Sequence, residues 1–187
     1  MLTLWDMMLP RRARKPAAVV KPDAGPGVVA PRPVKKSARP APGSAQARYD
    51  EMTRVMLARY GVRVRKWRTS MSGVAWQVTY RDGTVSNLIE APRPKGPMSA
   101  AVFLHEIGHH AIGFHTYSPR CLEEYHAWRY SLEQMEAWGL NVTDRVRERM
   151  HDSLHYAVEK ALRRGLKRLP EELAPFAEPR VRVSRSA

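Results

Sequence analysis

A single cysteine, Cys121, is the first scarcity in this chain of 187 residues, and it excludes an internal disulfide framework. Apolar runs are short as well. None approaches the roughly 20 consecutive apolar residues that a membrane-crossing helix needs, so no membrane partner is expected. Acidic residues are in deficit: 18 Asp and Glu face 32 Lys and Arg, leaving a net charge of +14 that suits an anionic partner. A zinc ribbon, a glycine-rich phosphate loop and a clear helix-turn-helix are all missing. Any contact with nucleic acid would therefore be made mainly to phosphates and depend strongly on salt. The opening segment, Met1 to Pro10, is apolar but short, and its basic cluster follows it, the reverse of a secretory signal. A cytoplasmic location is the expectation.

Composition changes sharply near residue 44. Residues 1–44 are rich in Pro and Ala, carry many Lys and Arg against Asp6 and Asp23, and show no apolar period long enough to build a core. A disordered basic arm is expected there, a folded domain over 45–175, and a basic flexible tail over 176–187. A second cationic run stands late in the domain, from Lys160 to Arg168. Arm, run and tail together make nucleic acid a possible partner.

Within the folded part, Ser44 precedes a helical pattern over 45–60 with Tyr49, Met52, Val55, Met56 and Tyr60 on one face, and Gly61 closes it. Val62–Trp67 and Val74–Tyr80 alternate as strands, Arg81-Asp82-Gly83 reads as a tight turn, and a third strand over Thr84–Glu90 pairs back. The expected fold is α+β, a small antiparallel sheet followed by helices. Pro97 and Ser99 mark one helix start and Gly113 its stop, while Cys121–Met135 reads as the next helix. Thr143 caps a long helix over 144–164, with Val146, Met150, Leu154, Val158, Ala161 and Leu162 on its buried side.

The first of these later helices carries His105-Glu106-Ile107-Gly108-His109-His110. A spacing of four puts the imidazoles of His105 and His109 on one helix face, close enough to share a zinc ion. Glu106 then sits beside the metal, placed to activate zinc-bound water as a general base and to return the proton to a leaving amine. The expectation is a zinc-dependent hydrolase of peptide bonds. Gly108 would admit a neighbouring backbone or a substrate. A catalytic zinc needs a third protein ligand and one open position. Glu123 and Glu124, on the following helix, are both candidates, and so is His115, six residues after His109. His110 points about 100° away from its neighbour and is a supporting or surface residue. His155 and Tyr156 are possible oxyanion stabilisers.

Residues 84–131 resemble the zincin-like metallopeptidases whose third ligand is a glutamate, and most closely the ImmA/IrrE type. That type joins a histidine–glutamate pair, a glycine before the second histidine, and a short helix of the form Glu-x-x-Ala-x-x-aromatic. Glu124-Tyr125-His126-Ala127-Trp128-Arg129-Tyr130 fits the last element. The resemblance implies a zincin-like fold, Zn2+ held by His105, His109 and Glu124, and a peptide or protein substrate. It favours Glu124 over Glu123. In such folds the strand before the metal helix often lines the cleft, which makes Asn87–Glu90 the candidate substrate edge. Trp128 stands where the family usually has Asn, and Leu132-Glu133-Gln134-Met135 replaces its apolar run ending in proline. The alternative reading is a basic nucleic-acid-associated or interaction protein that keeps this scaffold without proteolysis.

Overall fold

The structure, a computed structural model, describes residues 43–180, so the expected arm up to residue 42 and the tail from 181 lie outside the described residues. Helix α1 spans Ala45–Arg59, followed by strands β1 (Val62–Arg68), β2 (Val74–Thr79) and β3 (Val85–Pro92). Helices α2 (Pro97–Ile112), α3 (Arg120–Ala137) and α4 (Asp144–Arg163) complete the domain, with a 3-10 helix over Glu171–Phe176. Among the described residues, no helix is long and apolar enough to cross a membrane.

The helix boundaries follow from local chemistry. Ser44 Oγ accepts the Ala47 N–H at 3.1 Å and starts α1, and Thr143 Oγ1 accepts from Val146 and starts α4. Ser99 Oγ accepts the N–H groups of Lys95 and Gly96, which with Pro97 at the first turn sets the start of α2. Gly113 ends α2 at φ 81, a left-handed conformation in which a side chain would be strained. On α4, Val146, Leu154 and Val158 are buried as expected, whereas Leu162 is exposed.

The sheet differs from the antiparallel arrangement expected. Its order is β1-β3-β2, with β3 antiparallel to β2 but parallel to β1, so it is mixed. The turn at Arg81-Asp82-Gly83 does form the β2–β3 hairpin, closed by the Tyr80 N–H on Thr84 O at 2.8 Å. What alternation could not reveal is that β1 then docks on the far side of β3. The physical reason lies in composition: β1 carries Arg63, Arg65, Lys66 and Arg68, cations that suit an edge, while β3 buries Ile89, Ala91 and Pro92. The same order corrects the substrate edge, because Asn87–Glu90 pairs with β1 on one side and β2 on the other and has no free edge.

Helix α2 lies at the centre, buried continuously from Ser99 to His109 against β3 on one side and α3 on the other. Met52 and Met56 of α1 and Leu154 of α4 join Phe103, Leu104 and Ile107 in one core. Contacts between α2 and α3 run in opposite sequence directions: Ser131 Oγ donates to Ala101 O at 2.7 Å, and Gly108 meets Ala127. The approach at Gly108 is very close. A Cβ there would stand 2.8 Å from Ala127 O and 3.2 Å from its Cα, both backbone atoms that cannot rotate aside. Beyond the 3-10 helix the chain stays against α4, where Arg180 pairs with Glu148 at 2.9 Å and Asp152 at 3.5 Å.

Gly108→Val should therefore force α2 and α3 apart and lower stability by about 1–3 kcal/mol, the usual range for overpacking. Thermal or denaturant unfolding measures it, and an unchanged midpoint would show that this crossing bears no strain.

Candidate metal centre

Two helices assemble the site. From α2, His105, Glu106 and His109 are all buried, which for three ionisable side chains demands partners. From the first turns of α3, Glu124 reaches between the imidazoles: its Oε2 lies 3.4 Å from His105 Nε2 and 3.6 Å from His109 Nε2. His105, His109 and Glu124 are the one set of three potential ligands found among the described residues, with ligand atoms all within 4.8 Å of each other.

These separations can be tested against a metal. Tetrahedral zinc with bonds of about 2.1 Å sets its ligand atoms roughly 3.4 Å apart, and the two carboxylate–imidazole distances match that spacing. Two imidazoles and one carboxylate leave coordination positions open, a set that manganese and iron(II) also accept. The donor chemistry and the spacing fit a metal ion.

Burial and the facing charges set the electrostatics of the cluster. Burial pushes the Glu106 carboxyl up to about 8. For His109 burial opposes the charge, but the carboxylates of Glu123 and Glu124 outweigh it and raise the ring to about 9. Burial likewise works against the charge of Glu124, and the two imidazoles overcome it and hold the carboxyl well below the carboxylate range. His105, by contrast, is held low, burial being the largest cause. The carboxylates of Glu123 and Glu124 thus hold a positive charge on the His109 ring between them.

Glu123 and His115 hold different positions from the ligand role considered for them. Glu123 is 1 % exposed and faces the back of His109, with Oε1 3.3 Å from Nδ1. The contact is bent away from hydrogen-bond alignment, so neither atom has a well-aligned partner. It remains the nearest charge to that nitrogen and orients the ring with Nε2 toward Glu124. His115, at φ 62, contributes its backbone: its N–H donates to Glu123 Oε2 at 3.0 Å. His115 therefore anchors the carboxylate behind His109 and does not enter the cluster as a ligand atom. His110 Nε2 lies 3.2 Å from Leu88 O and ties α2 to β3. His155 Nδ1 meets Phe176 O at 3.0 Å, and Tyr156 is exposed beside Lys160, so neither joins the cluster.

Three further residues shape the site beyond those that the motifs indicate. Trp128 stacks on His105 with ring centroids 4.5 Å apart and shields that imidazole. Its position four residues after Glu124 places both on one face of α3, a signal present in the spacing. Gly73, just before β2, covers Glu106 so closely that a Cβ would stand 2.4 Å from its Oε1, and nothing local to Gly73 announces that. Arg120 lines the same cleft, together with Gly73, Val74, Ala75 and the four site residues.

No family model, curated protein or solved structure matches the chain. Function must be read from the site itself.

Replacing Glu123 with Gln keeps the shape of the side chain and removes its charge behind His109. Metal affinity should fall about tenfold or more, the usual effect of losing such a support. Competition with a chelating dye checks this, and an unaltered affinity would reduce Glu123 to packing.

Proposed function

We propose that the chain is a zinc-dependent peptide-bond hydrolase on a zincin-like fold of the ImmA/IrrE kind, working in the cytoplasm. The observation that carries the reading is the convergence of His105, His109 and Glu124 with Glu106 lining the same cleft. Zinc held by the three ligands supplies Lewis acidity, polarising a carbonyl and acidifying water. The protein's own groups do the rest. Glu106 takes a proton from the attacking water and later delivers it to the leaving amine, and its cover by Gly73 keeps the carboxylate poorly hydrated and basic. His105 and His109 are held in place by Trp128 and Glu123, so the ligand geometry is set before substrate arrives.

Placement of a peptide follows from the sheet. Strand β2 pairs with β3 along one side only among the described residues, and its first residues, Val74 and Ala75, line the cleft. An extended substrate can add to that free edge by main-chain hydrogen bonds. The edge so proposed is β2, in place of Asn87–Glu90.

Metal analysis comes first as a test. Purified wild type should carry about one zinc per chain, and His105→Ala and Glu124→Ala should each lose it. Glu106→Gln should keep the metal while lowering turnover of a cleavable peptide by about 100-fold or more. Metal-free wild type from chelator-free preparation, or full turnover by Glu106→Gln, would overturn the reading.

A second reading has its own observation. Arg163, Arg164, Lys167 and Arg168 are exposed and form no ion pair among the described residues, a cationic end to α4 that suits phosphates. Duplex DNA should bind with a steep salt dependence, and Arg163→Glu with Arg164→Glu should weaken it. A flat salt response in a binding titration would discard nucleic acid as a partner.

A further inference from the structure

The charge around the cleft goes further than the hydrolase reading on which it rests. On one flank stands Arg120, 62 % exposed, whose Nη2 lies 3.4 Å from Glu124 Oε1 and 4.0 Å from Glu123 Oε1. Glu124 turns its other oxygen, Oε2, to the imidazoles. A cation among the ligands consumes the charge of Glu124, and Arg120 is then left with only the buried and already engaged Glu123 to offset it. Arg149 of α4 is exposed, donates to Met71 O at 3.3 Å in the loop that enters β2, and forms no ion pair among the described residues. Its charge reaches His105, as that of Arg120 reaches Glu106. Arg68 also approaches Glu106 but is neutralised by Glu90 at 3.1 Å. With a divalent ion bound, the charges of the metal, Arg120 and Arg149 outweigh those of Glu106, Glu123 and Glu124.

An exposed guanidinium beside a reactive centre is a fork for carboxylates. Arg120 lines the cleft itself, and Arg149 holds the loop that leads through Met71 to Gly73 and the free β2 edge. A peptide laid along β2 would thus have one cation in the cleft at Val74 and Ala75 and a second on the loop that enters the strand. We propose that the cleft selects acidic peptides, with Arg120 receiving a carboxylate beside the scissile bond and Arg149 a second one further along the chain.

The test uses the full-length zinc-loaded protein and fluorescent peptides that differ only in carrying Glu, Ala or Lys around a common centre. Binding is read by anisotropy with Glu106→Gln, so that it is measured without turnover, and cleavage is read separately with Glu106 intact. Glu peptides should bind about tenfold more tightly than Lys peptides at moderate salt, and Arg120→Glu or Arg149→Glu should erase most of that ratio. Arg120→Gln keeps a neutral side chain next to Glu124 and should lose part of it. Arg81→Glu, at the β2–β3 turn, changes the net charge equally and should leave the ratio intact, which separates the cleft from the general cationic field. Zinc content is measured for each variant, so loss of metal is not mistaken for loss of selectivity. Equal binding of Glu and Lys peptides, or a ratio that Arg81→Glu disturbs as much as Arg120→Glu, would overturn the proposal. Cleavage without charge preference sinks acidic selection alone, whereas selective binding with no cleavage by the Glu106 form sinks the hydrolase and leaves acidic recognition standing.

Discussion

The close crossing of α2 and α3 at Gly108 and Ala127 is the constraint on which the site depends. Helices ordinarily pack with axes 8–10 Å apart, set by the side chains between them, and the absence of a side chain at Gly108 lets α3 come in against the backbone of α2. Glu123, Glu124 and Trp128 of α3 are then within reach of the imidazoles. Glu124 arrives between His105 and His109, and Trp128, one turn later, lies over His105. Ser131 on Ala101 fastens the same pair of helices two turns further along.

Burying His105, Glu106, His109 and Glu123 in one place is costly unless each charge finds an opposite or a donor. Adjacency in sequence solves part of the problem. Glu123 and Glu124 point about 100° apart on the helix, so one addresses the Nε2 side of His109 and the other the Nδ1 side. The left-handed turn at His115 then offers a backbone N–H to Glu123, which spares a buried carboxylate from standing alone. The candidate ligand Glu124 and the carboxylate behind His109 thus come from neighbouring residues of a single helix, and the cluster needs only two elements and one loop.

Strand alternation made β1, β2 and β3 legible, and the turn at Asp82-Gly83 made one pairing legible. The rest of the sheet was not, because alternation encodes which face of a strand is buried and says nothing about which strand lies beside it. Here the four cations of β1 and the apolar residues of β3 decided the order by sorting strands between edge and centre. That sorting moved the free edge at the cleft from β3 to β2. Gly73 lies over Glu106 at the entry to that edge strand, a placement made by the sheet and not by its neighbours in sequence.

The local geometry of a helix was enough to align His105, Glu106 and His109, since a four-residue spacing lies on one face whatever surrounds it. Caps at Ser44, Thr143 and Gly113 were legible for the same reason: each is satisfied within a few residues. Three third-ligand candidates are equally local, and the resemblance of Glu124-x-x-Ala127 to a family pattern favours Glu124 over Glu123 without a distance. Tertiary structure alone set Glu124 at 3.4 and 3.6 Å from two imidazoles, turned Glu123 and His115 to supporting tasks, and brought Arg120 to the cleft. Those outcomes depend on how closely two helices pack across the loop from Gly113 to Pro119, a separation that no periodicity along the chain encodes.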